Sequence, residues 1–181
     1  MRIRNIVKGG VVLAGLAAFT SLSAPAFAAP LQSPDSDALV AGYQLIQFDL
    51  KECMAIAAKP GVSANGTGLI SPDIRDIAGK MCDTARAEKP KLEALAASKN
   101  FDLPDDLPYY LNARYASLIR NQNGTMGHQY LDDQISSHED ALAVFQDAVA
   151  TGTDPDVKAA LTSVIPTVQS NLDQLKNLAG K

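Results

Sequence analysis

The sequence has no tryptophan, few aromatic residues and no cluster of basic residues. Aromatic residues make up 6% of the chain, which leaves little surface on which the bases of a single strand could stack. The 16 basic residues are outnumbered by 20 acidic ones, so the net charge is −4. An acidic chain of this kind is not suited to bind phosphate backbones. We therefore expect no nucleic acid among its partners.

The first residues are typical of a secretory signal peptide. Arg2, Arg4 and Lys8 form a basic start, an apolar run follows over residues 9–23, and the "AFA" that ends at Ala28 fits the small-x-small rule for cleavage. An uncleaved membrane anchor is the alternative. The apolar run is short for that role, because a membrane span needs ~20 apolar residues.

Cleavage near Ala28 defines what the mature protein would be. Removing 28 of the 181 residues leaves 153, enough for one domain with its own core over residues 29–181. The 16 basic residues fall to 13 against 20 acidic ones, a net charge of −7. We expect a periplasmic or secreted protein with no stable membrane insertion once the signal is removed.

Cys53 and Cys82 are the only cysteines, and they form neither a CxxC nor a CxxCH motif. In an oxidising compartment such a pair is bridged more often than it is metal-bound. Both lie on or beside the apolar stripes of consecutive predicted helices, which should be antiparallel. The sequence therefore predicts a disulfide between them, with two packed core thiols as the alternative.

Apolar residues recur at intervals of three and four, without the alternation of β-strands. This spacing predicts four long amphipathic helices and one shorter helix, separated by turns rich in glycine, proline and asparagine. The stripe predicted for the first helix is Leu39, Tyr43, Ile46, Leu50, Cys53 and Ala57. We therefore predict an all-α fold, an antiparallel four-helix bundle of the ferritin-like type with one additional short connecting helix.

Three polar residues, His138, Asn171 and Glu88, fall on these predicted apolar stripes. A buried histidine is normally hydrogen-bonded, so we interpret His138 and Asn171 as a polar pair in the core. We expect Glu88 at the edge of its stripe, with its carboxylate in water. The acidic neighbours of His138 are predicted to face solvent: Asp132, Asp133, Glu139 and Asp140.

The sequence offers few ligands for a metal ion. Di-iron bundles carry Glu-x-x-His on two helices, and here Ile135 stands where the glutamate before His138 would be. His138 and Glu88 are the candidate ligands, and Asn171 is a poor one. The serines beside His138 do not face it on a helix, so we predict no catalytic residues.

Two stretches resemble a known family: "KMCDTARAEKPKLEALAASKNFDLP" and "YLDDQISSHEDALAVFQDAVATGTDPDVKAALTSVIPTVQSNLDQL". They are similar to an exported bacterial family called domain of unknown function 4142, over roughly residues 38–178. Its members are often labelled outer-membrane proteins and are ferritin-like helical bundles. The resemblance implies this fold and an exported location, and it carries no established activity.

The family pattern places a histidine in each of three helices. The matching positions here are Ala85, His138 and Asn171, so this chain keeps one of the three. The resemblance therefore implies that a metal-dependent or proton-dependent role of those histidines, if the family has one, is lost here.

The sequence as a whole predicts a non-enzymatic exported helical-bundle protein, a binding or envelope-stress accessory module. Its partner would be a periplasmic or envelope protein or a small ligand. The alternative is a degenerate ferritin-like protein that keeps an iron, zinc or manganese ion at His138 and Glu88.

Overall fold

The structure is a computed structural model that describes residues 30–59, 70–121 and 124–180. The predicted signal peptide, residues 1–28, lies outside them. Within these ranges five helices follow one another: α1 Asp35–Ala58, α2 Pro72–Ser98, α3 Tyr109–Arg120, α4 Met126–Thr151 and α5 Pro155–Ala179. For the described residues, the prediction of an all-α fold with four long helices and one short one is confirmed. Within the described ranges, none of these helices combines the length and the hydropathy that a membrane crossing requires.

Two helices begin at caps that follow the common sequence signal. The hydroxyl of Ser71 accepts a 3.3 Å hydrogen bond from the Ile74 amide, and Pro72 occupies the first position of α2. Asp154 accepts from the amide of Val157 at 3.1 Å, ahead of Pro155 in α5. Each cap satisfies an amide that the first turn leaves without a partner.

Asp35 opens α1 but acts on another part of the chain. Its Oδ2 accepts hydrogen bonds from the amides of Thr153 and Asp154 at 2.7 and 2.9 Å, in the loop between α4 and α5. An aspartate at the start of a helix commonly caps it. The structure gives no side-chain cap at the start of that helix, because Asp35 is buried and turned to the loop.

The contacts of α1 show how it is oriented relative to its two main neighbours, α2 and α4. Cys53 is bonded to Cys82, while Tyr43, earlier in α1, donates to Glu93, later in α2. The same holds against α4: Asp35 meets the residues that follow α4, and Glu52 meets Gln134 near its start. α1 is therefore antiparallel to both α2 and α4. α5 packs against α4 and, less closely, against α2.

The predicted disulfide is present. Cys53 and Cys82 are bonded with 5.8 Å between their Cα atoms, and both are buried. The bond lies in an apolar cluster with Ile56, Met81 and Tyr130.

A second apolar cluster fills the other end of the molecule, around Leu39, Leu142, Phe145 and Leu161. Polar side chains are buried between the two clusters, from α1 and from α4: Asp49, Glu52, Gln134, Ser137 and His138. The core thus has a polar layer between two apolar ends.

The buried face of α1 differs from the predicted stripe. It comprises Asp35, Ala38, Leu39, Gly42, Leu45, Phe48, Asp49, Glu52, Cys53 and Ile56. Tyr43, Ile46 and Leu50 are half-buried, and Ala57 is exposed. The prediction was wrong in register because it assigned the core face to apolar residues only, whereas three acidic residues lie on it.

Candidate functional site

A cavity of about 250 Å³ lies among the four long helices. Its walls are mainly apolar and include Leu39 and Leu45 of α1, Leu92 of α2, Phe145 of α4 and Leu161 of α5. It occupies the end of the core that holds the second apolar cluster. The cavity therefore results from incomplete packing between α2 and α5, which contact each other less than the other neighbouring long helices do.

The cavity opens to solvent on one side. The most exposed side chains that line it are Lys91 of α2 and Ser163 and Thr167 of α5. The lining residues of α4, His138 and Phe145, are buried. The mouth thus lies between α2 and α5, and α4 lies at the closed end.

His138 is in the wall of this cavity and is 1% exposed. Its Nδ1 lies 2.9 Å from the backbone carbonyl oxygen of Gln134, one turn earlier in α4. Because a carbonyl oxygen only accepts, Nδ1 donates and carries the proton. Burial lowers the pKa of His138 to about 4, so the ring is neutral near pH 7 and Nε2 carries a lone pair.

Asp49 is the second buried polar residue that lines the cavity, with 6% of its surface exposed. Burial raises the pKa of Asp49 well above its usual value, and a hydrogen bond with the Gln134 side chain opposes that shift. Its Oδ1 has no hydrogen-bond partner in the described part of the chain. A buried carboxyl in this state has hydrogen-bonding capacity left for another molecule.

Glu52 lies one turn further along α1 and is completely buried. Its Oε2 accepts a 3.0 Å hydrogen bond from Nε2 of Gln134. Burial is the main cause that raises the pKa of Glu52 to about 9, and the nearby Asp133 and Asp49 raise it further. Glu52 is therefore a neutral acid near pH 7.

The polar layer continues toward α3. Asp133 lies 3.9 Å from Nε of Arg114, and its side chain is only 14% exposed. Burial raises the pKa of Asp133, while Arg114 lowers it. The prediction that Asp133 faces solvent was wrong, because α3 covers this part of α4. Asp132, Glu139 and Asp140 are exposed as predicted.

The structure brings the residues singled out in the sequence to one place. Ala85, Glu88, His138 and Asn171 all line the cavity, from three different helices. Glu88 is 31% exposed and pairs with Lys91 at 2.7 Å. His138 forms its hydrogen bond with the backbone carbonyl oxygen of Gln134. Asn171 is half-buried in the same cavity wall.

The described residues contain no group of three or more histidine, cysteine, aspartate or glutamate side chains arranged to hold a metal ion. His138 and Glu88 share the cavity, but a transition metal needs three or four converging ligands. Both cysteines are in the disulfide, so neither offers a thiolate as a metal ligand.

Sequence reasoning missed Asp49, Glu52 and Gln134. The available signal was spacing: Asp49 and Glu52 are three residues apart and fall on the same face as Phe48, Cys53 and Ile56. A hydrophobicity pattern does not select that face, because the acidic residues interrupt it.

Fold and site together define an all-α protein with a mainly apolar cavity next to a buried polar layer. The family model described as "Domain of unknown function (DUF4142)" matches residues 70–178. Since this match spans more than half of the chain, the protein belongs to that family, as the resemblance implied.

A solved structure agrees with the helical fold. The "Crystal structure of DUF305 fragment from Deinococcus radiodurans" matches with a TM-score of 0.67 at 13% identity, over 84% of this chain and 99% of that one. At such identity the likeness shows the fold alone. A search of curated proteins found no match.

Proposed function

We propose that the four long helices form an antiparallel four-helix bundle of the ferritin-like type, and that this bundle is an exported, non-enzymatic binding module. It takes a small ligand in the cavity among these helices, whose mouth lies between α2 and α5. The cavity itself carries this proposal. The signal-like start of the sequence and the disulfide support an exported location.

The character of the cavity supports a small, mostly apolar ligand. Pockets for small molecules are lined largely by apolar groups, with a few polar groups that fix orientation. Here the apolar walls come from four helices, and the buried polar groups are Asp49 and His138. The cavity, of about 250 Å³, is near the lower end of the size range of small-molecule pockets.

Binding can be tested with octan-1-ol, a neutral ligand of suitable size, by NMR titration of the backbone amides. Saturable shifts are expected for residues that line the cavity. Ala160→Leu should fill the cavity and abolish these shifts, because Ala160 lines it. Ala159→Leu is the matched control, since Ala159 is exposed on the same helix. Absence of saturable shifts, or equal binding by the Ala160→Leu variant, would contradict the proposal.

The alternative is a degenerate metal-binding protein that holds iron, zinc or manganese. One observation favours it: His138, with a lone pair on Nε2, shares the cavity with Glu88 and Asp49. Elemental analysis of protein purified without chelators distinguishes the two functions. Stoichiometric metal that is lost in a His138→Ala variant would establish the alternative and overturn the first proposal.

A further inference from the structure

We propose that the ligand of this cavity is an organic ammonium ion with an apolar tail, whose head group binds at Asp49 and His138. This inference rests on the proposed binding function and names the chemical class of ligand. The observation behind it is that the two buried polar side chains in the lining both offer acceptors to a positively charged donor.

The head-group end of the cavity offers lone pairs. His138 donates its only ring proton to the Gln134 carbonyl, so Nε2 can only accept. Asp49 contributes carboxyl oxygens, and Oδ1 has no partner within the described residues. An ammonium group has three N–H donors and no acceptor, so it complements both residues. Leaving a buried polar atom unpaired is unfavourable, and a donor on the ligand would relieve that cost.

The charge around the cavity favours the same class. Lys91 is the only cationic residue among the described lining residues, and it is exposed at the mouth and paired with Glu88. No arginine or lysine of the lining is therefore placed to bind a carboxylate or phosphate head group at the closed end. An anionic head group would find there at most the single O–H of a protonated Asp49, beside the lone pair of His138.

Binding of an ammonium ion should release a proton. Burial favours the protonated form of Asp49, whose pKa is raised in the free protein. When R–NH3+ binds, the Asp49 carboxyl loses its proton to solvent, and the carboxylate that remains pairs with the ammonium ion. The site starts neutral with a cation in solution and ends as an ion pair with one proton released, so charge and atoms balance.

Other charged and titratable groups surround Asp49 on several helices. They are Glu52 on α1, Glu88 and Lys91 on α2, and Tyr130 and His138 on α4. Arg114 of α3 and Asp133 of α4 act on the neighbouring Glu52. Burial keeps Glu52, Tyr130 and His138 in their neutral forms near pH 7. Asp49 is therefore the group among them that both lines the cavity and changes its protonation on binding.

The experiment compares three ligands with the same tail: n-octylammonium, octan-1-ol and octanoate. Calorimetric titration at pH 7 in two buffers of different ionisation enthalpy gives both the affinity and the number of protons released. An alkylamine is protonated at this pH, like the lysine side chain. We expect octylammonium to bind at least tenfold more tightly than octan-1-ol, with net release of protons, and octanoate to bind more weakly than both.

Two variants locate the effect. Asp49→Asn should abolish the preference and the proton release while octan-1-ol still binds, which shows that the cavity is intact. Asp37→Asn removes one negative charge from an exposed position on the same helix. It should leave the preference for octylammonium and the proton release unchanged. If Asp37→Asn reduced the preference for octylammonium as much as Asp49→Asn does, general charge attraction would explain the preference and the inference would be overturned.

The outcomes separate this inference from the proposed function. If octan-1-ol binds as tightly as octylammonium, or if the wild-type protein releases no proton, the ammonium ligand is wrong and the binding module stands. If none of the three ligands binds, the proposed function itself fails. The proton count on the wild-type protein decides the question even if Asp49→Asn does not fold.

Discussion

Gln134 donates a 3.0 Å hydrogen bond from Nε2 to Oε2 of Glu52, and this bond joins α4 to α1 in the middle of the core. Both side chains are completely buried. Glu52 Oε1 and Gln134 Oε1 have no partner within the described residues. One neutral-amide hydrogen bond does not compensate for burying a full negative charge, so Glu52 stays protonated in the fold.

The Glu52 carboxyl should make stability fall as pH rises. Its pKa is 4.5 ordinarily and about 9 in the fold, so between these values the unfolded chain binds fewer protons than the folded one. The free energy of unfolding therefore decreases with pH in this window. The glutamine of a Glu52→Gln variant cannot ionise. We therefore expect the free energy of unfolding of this variant to exceed that of the wild type by at least about 1 kcal/mol at pH 8.5, and the two to differ less near pH 5.

Urea unfolding at pH 5, 7 and 8.5 measures this effect. Glu139→Gln is the control, because Glu139 is exposed and pairs with Lys176 on the surface. The control should keep the pH dependence of the wild type. A Glu52→Gln variant that loses stability with pH as steeply as the wild type would refute a neutral Glu52.

His138 should stay neutral in mildly acidic solution, with its proton on Nδ1. Its pKa is lowered to about 4, so between pH 4 and 6.5 the unfolded chain binds more protons than the folded one. This residue thus contributes a loss of stability as pH falls through that window. Long-range ¹H–¹⁵N NMR at pH 5.5 should show a neutral ring that is unprotonated at Nε2. The exposed His128 supplies a reference signal, and a proton found on Nε2 of His138 would be inconsistent with the assigned bond.

Gly152 should not tolerate a side chain. A Cβ there would overlap Oδ1 of Asp35 and the carbonyl oxygen of Ala148. Asp35 cannot easily move, since its Oδ2 holds the amides of Thr153 and Asp154. We expect Gly152→Ala to lower the free energy of unfolding by about 1–3 kcal/mol.

Gly79→Ala is the matched comparison for that substitution. A Cβ at this exposed position inside α2 meets nothing within 4 Å. Alanine restricts the unfolded chain and favours the helix, so the free energy of unfolding of the variant should rise by about 0.5–1 kcal/mol. Chemical unfolding of both variants beside the wild type tests the pair. Equal changes in the same direction would mean that Asp35 does not limit the space at residue 152.

The disulfide should contribute substantially to stability. It joins residues separated by 29 positions, and closing a loop of that size restricts the unfolded chain by about 3.5 kcal/mol on the entropy model. We expect a Cys53→Ala, Cys82→Ala double variant to lose about that amount in urea unfolding. Reductant should destabilise the wild type and leave the double variant unchanged. Detection of two free thiols in the denatured, unreduced wild type would rule the bond out.

Local sequence signals predicted the helices and the disulfide. Ser71 followed by Pro72 marks the start of α2, because a hydroxyl cap and a fixed φ both act within one turn. The cysteines fall on or beside apolar stripes of consecutive helices, so their proximity follows from antiparallel packing. His138 was placed in the core correctly, since Leu131, Leu142 and Phe145 share its face.

The roles of Asp35 and Asp133 could not be predicted in the same way. Asp35 is close in sequence to the start of α1, which suggests a local cap, yet its partners are Thr153 and Asp154. Asp133 lies on a face of α4 that looks polar in the sequence, but Arg114 of α3 packs beside it. The roles of both aspartates depend on which distant segment of the chain packs against them. A local sequence pattern does not contain that information.

The sequence by itself determined the helical class, the number of long helices, the proximity of Cys53 and Cys82 and the position of His138, because each follows from spacing within one or two helices. Only the tertiary structure decided that Asp49, Glu52 and Gln134 form a buried polar layer, and that Ala85, His138 and Asn171 line one cavity. The physical reason is that burial of a polar group depends on neighbours from other helices. Glu52 is buried on the face of α1 that meets α4, where Gln134 supplies its hydrogen bond.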